Sequence, residues 1–304
     1  MKALLVLALL VQDPDPRTAA LARAAHELPR AERGAWEGSW DLEQLSPDLK
    51  ARYGEALIAY QHGDLALALH HLQTLLAQHP DFPAGLHQLG VVCFRLRRMR
   101  DAREAMERFL THAPQHLGRT RVLGHAHYGL GDHAAARAHY ARVLERNPSD
   151  DEARFGDALA AWRLGEEDAA RSGMATVLEH RPTHADAAYW AARIAWETEV
   201  GGPEAWLAHV AHAVELAPSD PRPAYLQAQI LLDLGRDDEA AEVRGRFERL
   251  DRLTRALRTL EEQLLVAPEE VELLRRKLQL LGALGRKGAM SQVRTRLLEL
   301  QRAR

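Results

Sequence analysis

Cysteine is nearly absent from this chain of 304 residues: Cys93 stands alone. One thiol excludes an internal disulfide framework and any zinc site built on cysteines, and it fits a reducing or an oxidising compartment equally. An excess of either charge is absent too. Forty basic and 43 acidic residues leave a formal net charge of −3. A nucleic-acid binder normally carries a basic excess on one face, so no nucleic-acid partner is expected. Aromatic residues are scarce at 6%, so any place where they gather is informative. Long apolar runs are confined to the start of the chain. There Met1-Lys2 precedes nine apolar residues at 3–11, ALLVLALLV, and a polar break at Gln12-Asp13-Pro14. Nine residues cannot cross a bilayer, which takes roughly 20, so no integral membrane span is expected. A basic start before such a run fits a secretory signal peptide. Residues 1–12 are read as one and the chain as exported, with periplasmic residence, although no small-x-small cleavage triplet follows. A cytoplasmic chain with a buried N-terminal helix is the alternative.

Catalytic signatures are also missing: no GxSxG, P-loop or HExxH occurs. Gly129-Leu130-Gly131-Asp132-His133-Ala134 matches the dinucleotide pattern GxGxxA, but that motif needs a preceding strand and here the preceding pattern is helical. Sixteen histidines invite a metal reading, eleven of them between His62 and His139. His125 and His127 are two apart and face different ways on a helix. His209 and His212 share a face, but no carboxylate or cysteine completes a site. A pH response through the histidine cluster is one reading; solvated helix faces are the favoured one. The acid pairs Glu166-Glu167, Asp237-Asp238 and Glu269-Glu270 fall at helix starts, where they favour the helix dipole. The expectation is a non-enzymatic protein with no catalytic residues, cofactor or metal.

What the chain does have is a period. Ala68, Ala102, Ala136 and Ala170 are spaced by 34 residues, as are Pro80, Pro114, Pro148 and Pro182. Gly63, Gly131 and Gly165 keep the same phase, with Arg97 in the glycine slot of the second copy. Apolar residues recur at helical spacing in two runs per copy, so each copy is two amphipathic helices. The glycine turns between them. The alanine marks a close crossing, and the proline ends the second helix. One such pair cannot bury its own apolar face, so copies stack.

This pattern resembles the tetratricopeptide-repeat family, whose period is 34. Leu89-Gly90 and Leu123-Gly124 match the family's Leu-Gly pair. With the turn glycine at position 15, copies begin near Leu49, Pro83, Leu117, Asp151, Ala185, Pro221 and Val271. The resemblance implies an all-α solenoid, a right-handed superhelix of about six to seven repeats, over 47–302. Two departures interrupt it. Gly201-Gly202-Pro203 lengthens the fifth inter-helix turn and puts Trp206 in the alanine slot, and Gly235 to Pro268 is 16 residues longer than Gly63 to Pro80. Phe247, Leu250, Leu253, Leu257, Leu260 and Leu264 step by three and four through the excess, which predicts one long helix or two abutting ones over about 237–267. Residues 13–46 form an N-terminal cap or tether with a short helix near 17–27. Trp36 and Trp40 are expected to dock on the first repeat, because exposed indoles are costly in water.

In the family the first helix of each pair lines the concave face, through positions 2, 5, 9, 12 and 13. Position 12 reads Tyr60, Phe94, Tyr128, Trp162, Trp196 and Leu232 here, and position 5 reads Tyr53, His87, Arg121, Phe155, Tyr189 and Tyr225. These two ladders hold nine of the 17 Phe, Trp and Tyr residues. With Arg95, Arg163, His125 and Arg193 they form the candidate groove for a protein or peptide partner, since aromatic and arginine side chains are the usual interface anchors. Four arginines on one surface suit an acidic segment or a carboxylate. The family's chaperone-tail binders use Lys and Asn on the first helix; position 9 here reads Leu57, Val91 and His125, so that activity is not assigned. Docking to an enzyme or a secretion or envelope complex through the convex face or the 237–267 helix is the alternative.

Overall fold

The computed structural model describes residues 46–302 apart from 62, 268 and 269. The signal-like segment 1–12 and the cap segment with Trp36 and Trp40 lie outside the described residues. Among those described, the chain is helical and has no strand. The helices follow as pairs: α1 (Pro47–Gln61) with α2 (Leu65–Gln78), α3 (Pro83–Arg95) with α4 (Met99–His112), α5 (Leu117–Gly129) with α6 (His133–Arg146), α7 (Asp151–Arg163) with α8 (Glu167–His180), α9 (Ala185–Glu197) with α10 (Pro203–Leu216), α11 (Pro221–Asp233) with α12 (Asp237–Val266), and α13 (Val271–Ala283) with α14 (Lys287–Arg302). The fold is an all-α solenoid of helix pairs.

Local chemistry starts and stops each pair. Asp64 accepts from the Leu67 amide at 3.1 Å, and Asp150 from the Ala153 amide at 2.9 Å, satisfying first-turn donors that have no partner in the helix. Histidine does the same at α5 and α9: His116 Nδ1 accepts from Arg119 N at 3.4 Å, and His184 Nδ1 from Ala187 N at 3.2 Å. Between paired helices the chain turns through the left-handed region, at φ 85° for Gly131 and 78° for Gly165. Arg97 does so at φ 61° with a full side chain. The fifth turn uses three such residues, Glu199, Gly201 and Gly202, and the Trp206 indole donates to Val200 O at 2.7 Å across it.

Two compact units divide between Asp132 and His133. In the first, Leu72, Leu75, Leu86 and Val92 are fully buried, with Phe109 at 2% exposure. In the second, Met174, Val177 and Ile194 form one cluster, and Val210, Ala213 and Ile230 the next. The periodic alanines Ala68, Ala102, Ala136 and Ala170 have no exposed surface, so each helix crossing admits nothing larger. α12 is one continuous helix of 30 residues. Its first half packs on α11, with Phe247 5.0 Å from Tyr225. Its second half joins α13, where Lys277 reaches Glu261 at 3.0 Å, and Leu257, Leu274 and Leu281 share a core. No helix among the described residues is long and apolar enough to cross a membrane.

Candidate partner-binding faces

In the first unit the position-12 aromatics of α1 and α3 are each bridged to the next first helix. The Arg95 guanidinium lies over the Tyr60 ring at 5.0 Å, and His125 stacks on Phe94 at 5.8 Å and 28°. These contacts set Tyr60, Arg95, Phe94 and His125 in one continuous row across α1, α3 and α5. Tyr128 and Arg121 sit half-buried on α5. The row follows from register: 34-residue spacing puts the same helix face of each copy side by side.

Position 5 behaves differently from the expectation. Tyr53 is 2% exposed, edge-on to Phe82 at 5.5 Å, and its hydroxyl donates to Ala84 O at 3.5 Å. His87 is 7% exposed and edge-on to Phe109 at 5.4 Å. Both are core residues, covered because the following helix packs directly over that register. The Tyr53 and His87 assignments to a ligand face are therefore corrected. Burial, with Arg119 and His116 close by, holds the His87 imidazole well below its usual range. His116 is lowered by burial and by Arg119. Burial likewise pushes the Cys93 thiol up to about 11, which makes it a poor nucleophile. His127, two residues from His125, turns the other way, its Nδ1 3.3 Å from an Asp132 carboxylate oxygen.

In the second unit α7, α9 and α11 carry the corresponding residues. Phe155 and Trp162 are half-buried and Arg163 exposed on α7, with Phe155 tilted 5.0 Å from His184. Tyr189 is 7% exposed, roofed by the Arg222 guanidinium at 5.1 Å; as with Tyr53, the next copy covers it. Arg193 donates to Glu197 at 2.6 Å. Burial works against its charge, but hydrogen bonds to Glu197 and Tyr189 more than offset that and keep its pKa raised. The Trp196 indole donates to Asp233 at 3.0 Å. Tyr225 is 47% exposed and accepts from the Gln229 amide at 3.0 Å.

Arg222 was not among the expected site residues. It spans Asp220 and Asp186, the latter at 2.7 Å, and these hydrogen bonds raise its pKa despite partial burial. The signal that finds it is position 2, which pairs Asp186 with Arg222 one copy later. Thus the second unit's face carries ion pairs of mixed sign, while the first unit's carries the Arg95–Tyr60 and His125–Phe94 contacts. Among the described residues no three His, Cys, Asp or Glu side chains are grouped to hold a metal ion.

The tetratricopeptide-repeat profile matches residues 53–116 and 121–173. A tetratricopeptide repeat protein of solved structure from Parabacteroides merdae ATCC 43184 has TM-score 0.58 and 15% identity, over 77% of this chain and 93% of its own. MamA 41-end from Desulfovibrio magneticus RS-1 has TM-score 0.48 and 18% identity over 55% and 93%. YrrB, a repeat protein of the same kind with an unusual peptide-binding site, has TM-score 0.47 and 22% identity over 64% and 96%. No curated protein matches the chain.

Proposed function

This chain is a tetratricopeptide-repeat protein, and from that premise we propose that it is a non-enzymatic scaffold holding a protein or peptide partner on its first-helix faces. The observation that carries the reading is the Tyr60–Arg95 and Phe94–His125 row, at 5.0 and 5.8 Å. Rigid aromatic and cationic groups at a fixed spacing lose little entropy on binding and supply stacking and charge-assisted hydrogen bonds together. Trp162, Trp196 and Tyr225 extend the same chemistry on the second unit. The apolar start at 3–11 supports export as part of this reading. Docking through α12 is the second reading, favoured by Val266 at 87% exposure.

The test is affinity capture from a native extract of the source cells, comparing the full chain with a Tyr128→Ala/Trp162→Ala/Trp196→Ala variant whose helix content and melting are intact by circular dichroism. Truncating an anchoring aromatic costs at least about 2 kcal/mol, so a partner held on these faces is lost from the variant. A partner held equally by both chains refutes the reading and moves attention to α12.

A further inference from the structure

We propose that the α3–α4 turn of the first unit, residues 95–100, is a docking point for a short acidic peptide segment of a partner protein. This surface sits at the end of a helix pair. It is separate from the row of rings along the first helices, with Arg95 common to both.

Local structure does not ask for these residues. The stretch Arg95-Leu96-Arg97-Arg98-Met99-Arg100 holds four arginines, and all four are exposed. The turn needs a left-handed residue, and Gly63, Gly131, Gly165, Gly235 and Gly285 supply it in five of the other six turns. Here Arg97 takes that conformation at φ 61°, which strains any residue with a Cβ. Arg98 and Arg100 flank the start of α4, and cations there oppose the helix dipole. Each of these choices works against the stability of the turn. Local rules are broken together where a side chain is kept for what it contacts.

The guanidinium groups are open to a ligand. Asp101 engages Arg98, and Arg95 lies over the Tyr60 ring at 5.0 Å. The Arg97 and Arg100 side chains make no ion pair or hydrogen bond among the described residues. Guanidinium binds carboxylate through paired hydrogen bonds, so two open forks beside Arg95 suit a run of about two or three carboxylates. The neighbouring copies limit what fits. The turns one copy before and one copy after carry Asp64 and Asp132, so the cationic surface is one turn wide. A nucleic-acid strand or a flat anionic membrane extends over those carboxylates and is repelled by them. A short acidic peptide stays clear of both.

The test uses the full chain and a fluorescein-labelled hexaglutamate peptide, read by anisotropy at low and at physiological salt. Wild type is compared with Arg97→Gly, with Arg97→Gly/Arg100→Gln, and with a charge-matched control, Arg249→Gln/Arg258→Gln, which removes two exposed arginines from α12. Wild type is expected to bind, and more weakly as salt rises. Arg97→Gly is expected to weaken binding about threefold and the double variant about tenfold, while the control stays within about twofold of wild type. Glycine relieves the turn, so Arg97→Gly loses peptide while its urea midpoint does not fall, which separates lost binding from lost folding. No binding by wild type at about 1 mM peptide, Arg97→Gly binding like wild type, or a control as weak as the double variant each overturns the proposal. So does tighter binding of phosphatidylserine vesicles, or of a single strand of about 20 nucleotides, that the double variant loses; the turn then belongs to a membrane or to nucleic acid. Tyr128, Trp162 and Trp196 are intact in all these chains. Failure here therefore leaves the aromatic-face reading standing, and partner capture indifferent to the aromatic variant leaves this one standing.

Discussion

Two glycines in helix interiors respond in opposite directions to the same substitution. Gly156 lies inside α7 and Gly245 inside α12. Alanine is favoured over glycine by about 1 kcal/mol in a helix interior, so propensity alone stabilises both Gly→Ala variants. A Cβ at Gly245 meets nothing within 4 Å, and there the gain of about 1 kcal/mol is realised. A Cβ at Gly156 falls 2.5 Å from Tyr140 Cζ and 2.8 Å from its Cε1 and hydroxyl. Tyr140 is 1% exposed on α6, so its ring has nowhere to go. Overpacking of this kind costs about 1–3 kcal/mol. Against the propensity gain, Gly156→Ala is expected to lose about 1 kcal/mol net. Urea denaturation of the full chain, followed by circular dichroism, reads both variants against the parent. Adding Tyr140→Leu to the parent and to the Gly156→Ala chain closes a double-mutant cycle. If the clash is the cause, the two changes couple by about 1–2 kcal/mol, and Gly156→Ala ranges from neutral to stabilising by about 1 kcal/mol in a chain that already carries Tyr140→Leu. A Gly156→Ala chain as stable as the parent, or an additive cycle, refutes the reasoning.

Arg97→Gly is expected to stabilise by about 0.5–1 kcal/mol, because a side chain at φ 61° carries about 1–2 kcal/mol of strain and glycine returns only part of it as unfolded-state entropy; a lower melting temperature in the glycine variant contradicts this. Acidification is expected to destabilise the first unit. His87 and His116 have folded pKa values below their unfolded value near 6.5, so stability is complete above that pH and falls below it, by up to about 1.4 kcal/mol per pH unit for His87 until its folded pKa is reached. Urea midpoints at pH 7.5 and 5.0 should differ less for His87→Gln than for the parent, and equal differences remove His87 as the cause.

How much of this was legible beforehand differs from residue to residue. Ala68, Ala102, Ala136 and Ala170 announced the helix crossings by spacing alone, because a repeat writes one packing solution many times and the period survives even where single residues vary. For α12 the sequence predicts one helix or two. Its leucine steps, with no proline inside, permit either, and only packing on α11 and then α13 keeps the helix in one piece.

The ladders show where pattern stops. Position 5 reads as one row in the sequence, yet Tyr53 and His87 are buried while Tyr225 is 47% exposed. Register assigns a residue to a helix face; it does not say whether the next copy covers that face. Gly156 and Gly245 make the same point, since the two look alike in sequence and differ only in what stands opposite. Arg193 and Arg222 look like free cations until Glu197 and Asp186 are seen beside them. The amino-acid sequence by itself determined the repeat, its helices and turns, and the chemistry offered by the first-helix positions, because these depend on local propensity and periodicity. The tertiary structure alone decided which of those side chains are roofed, paired or open, because that depends on neighbours one repeat away in the chain.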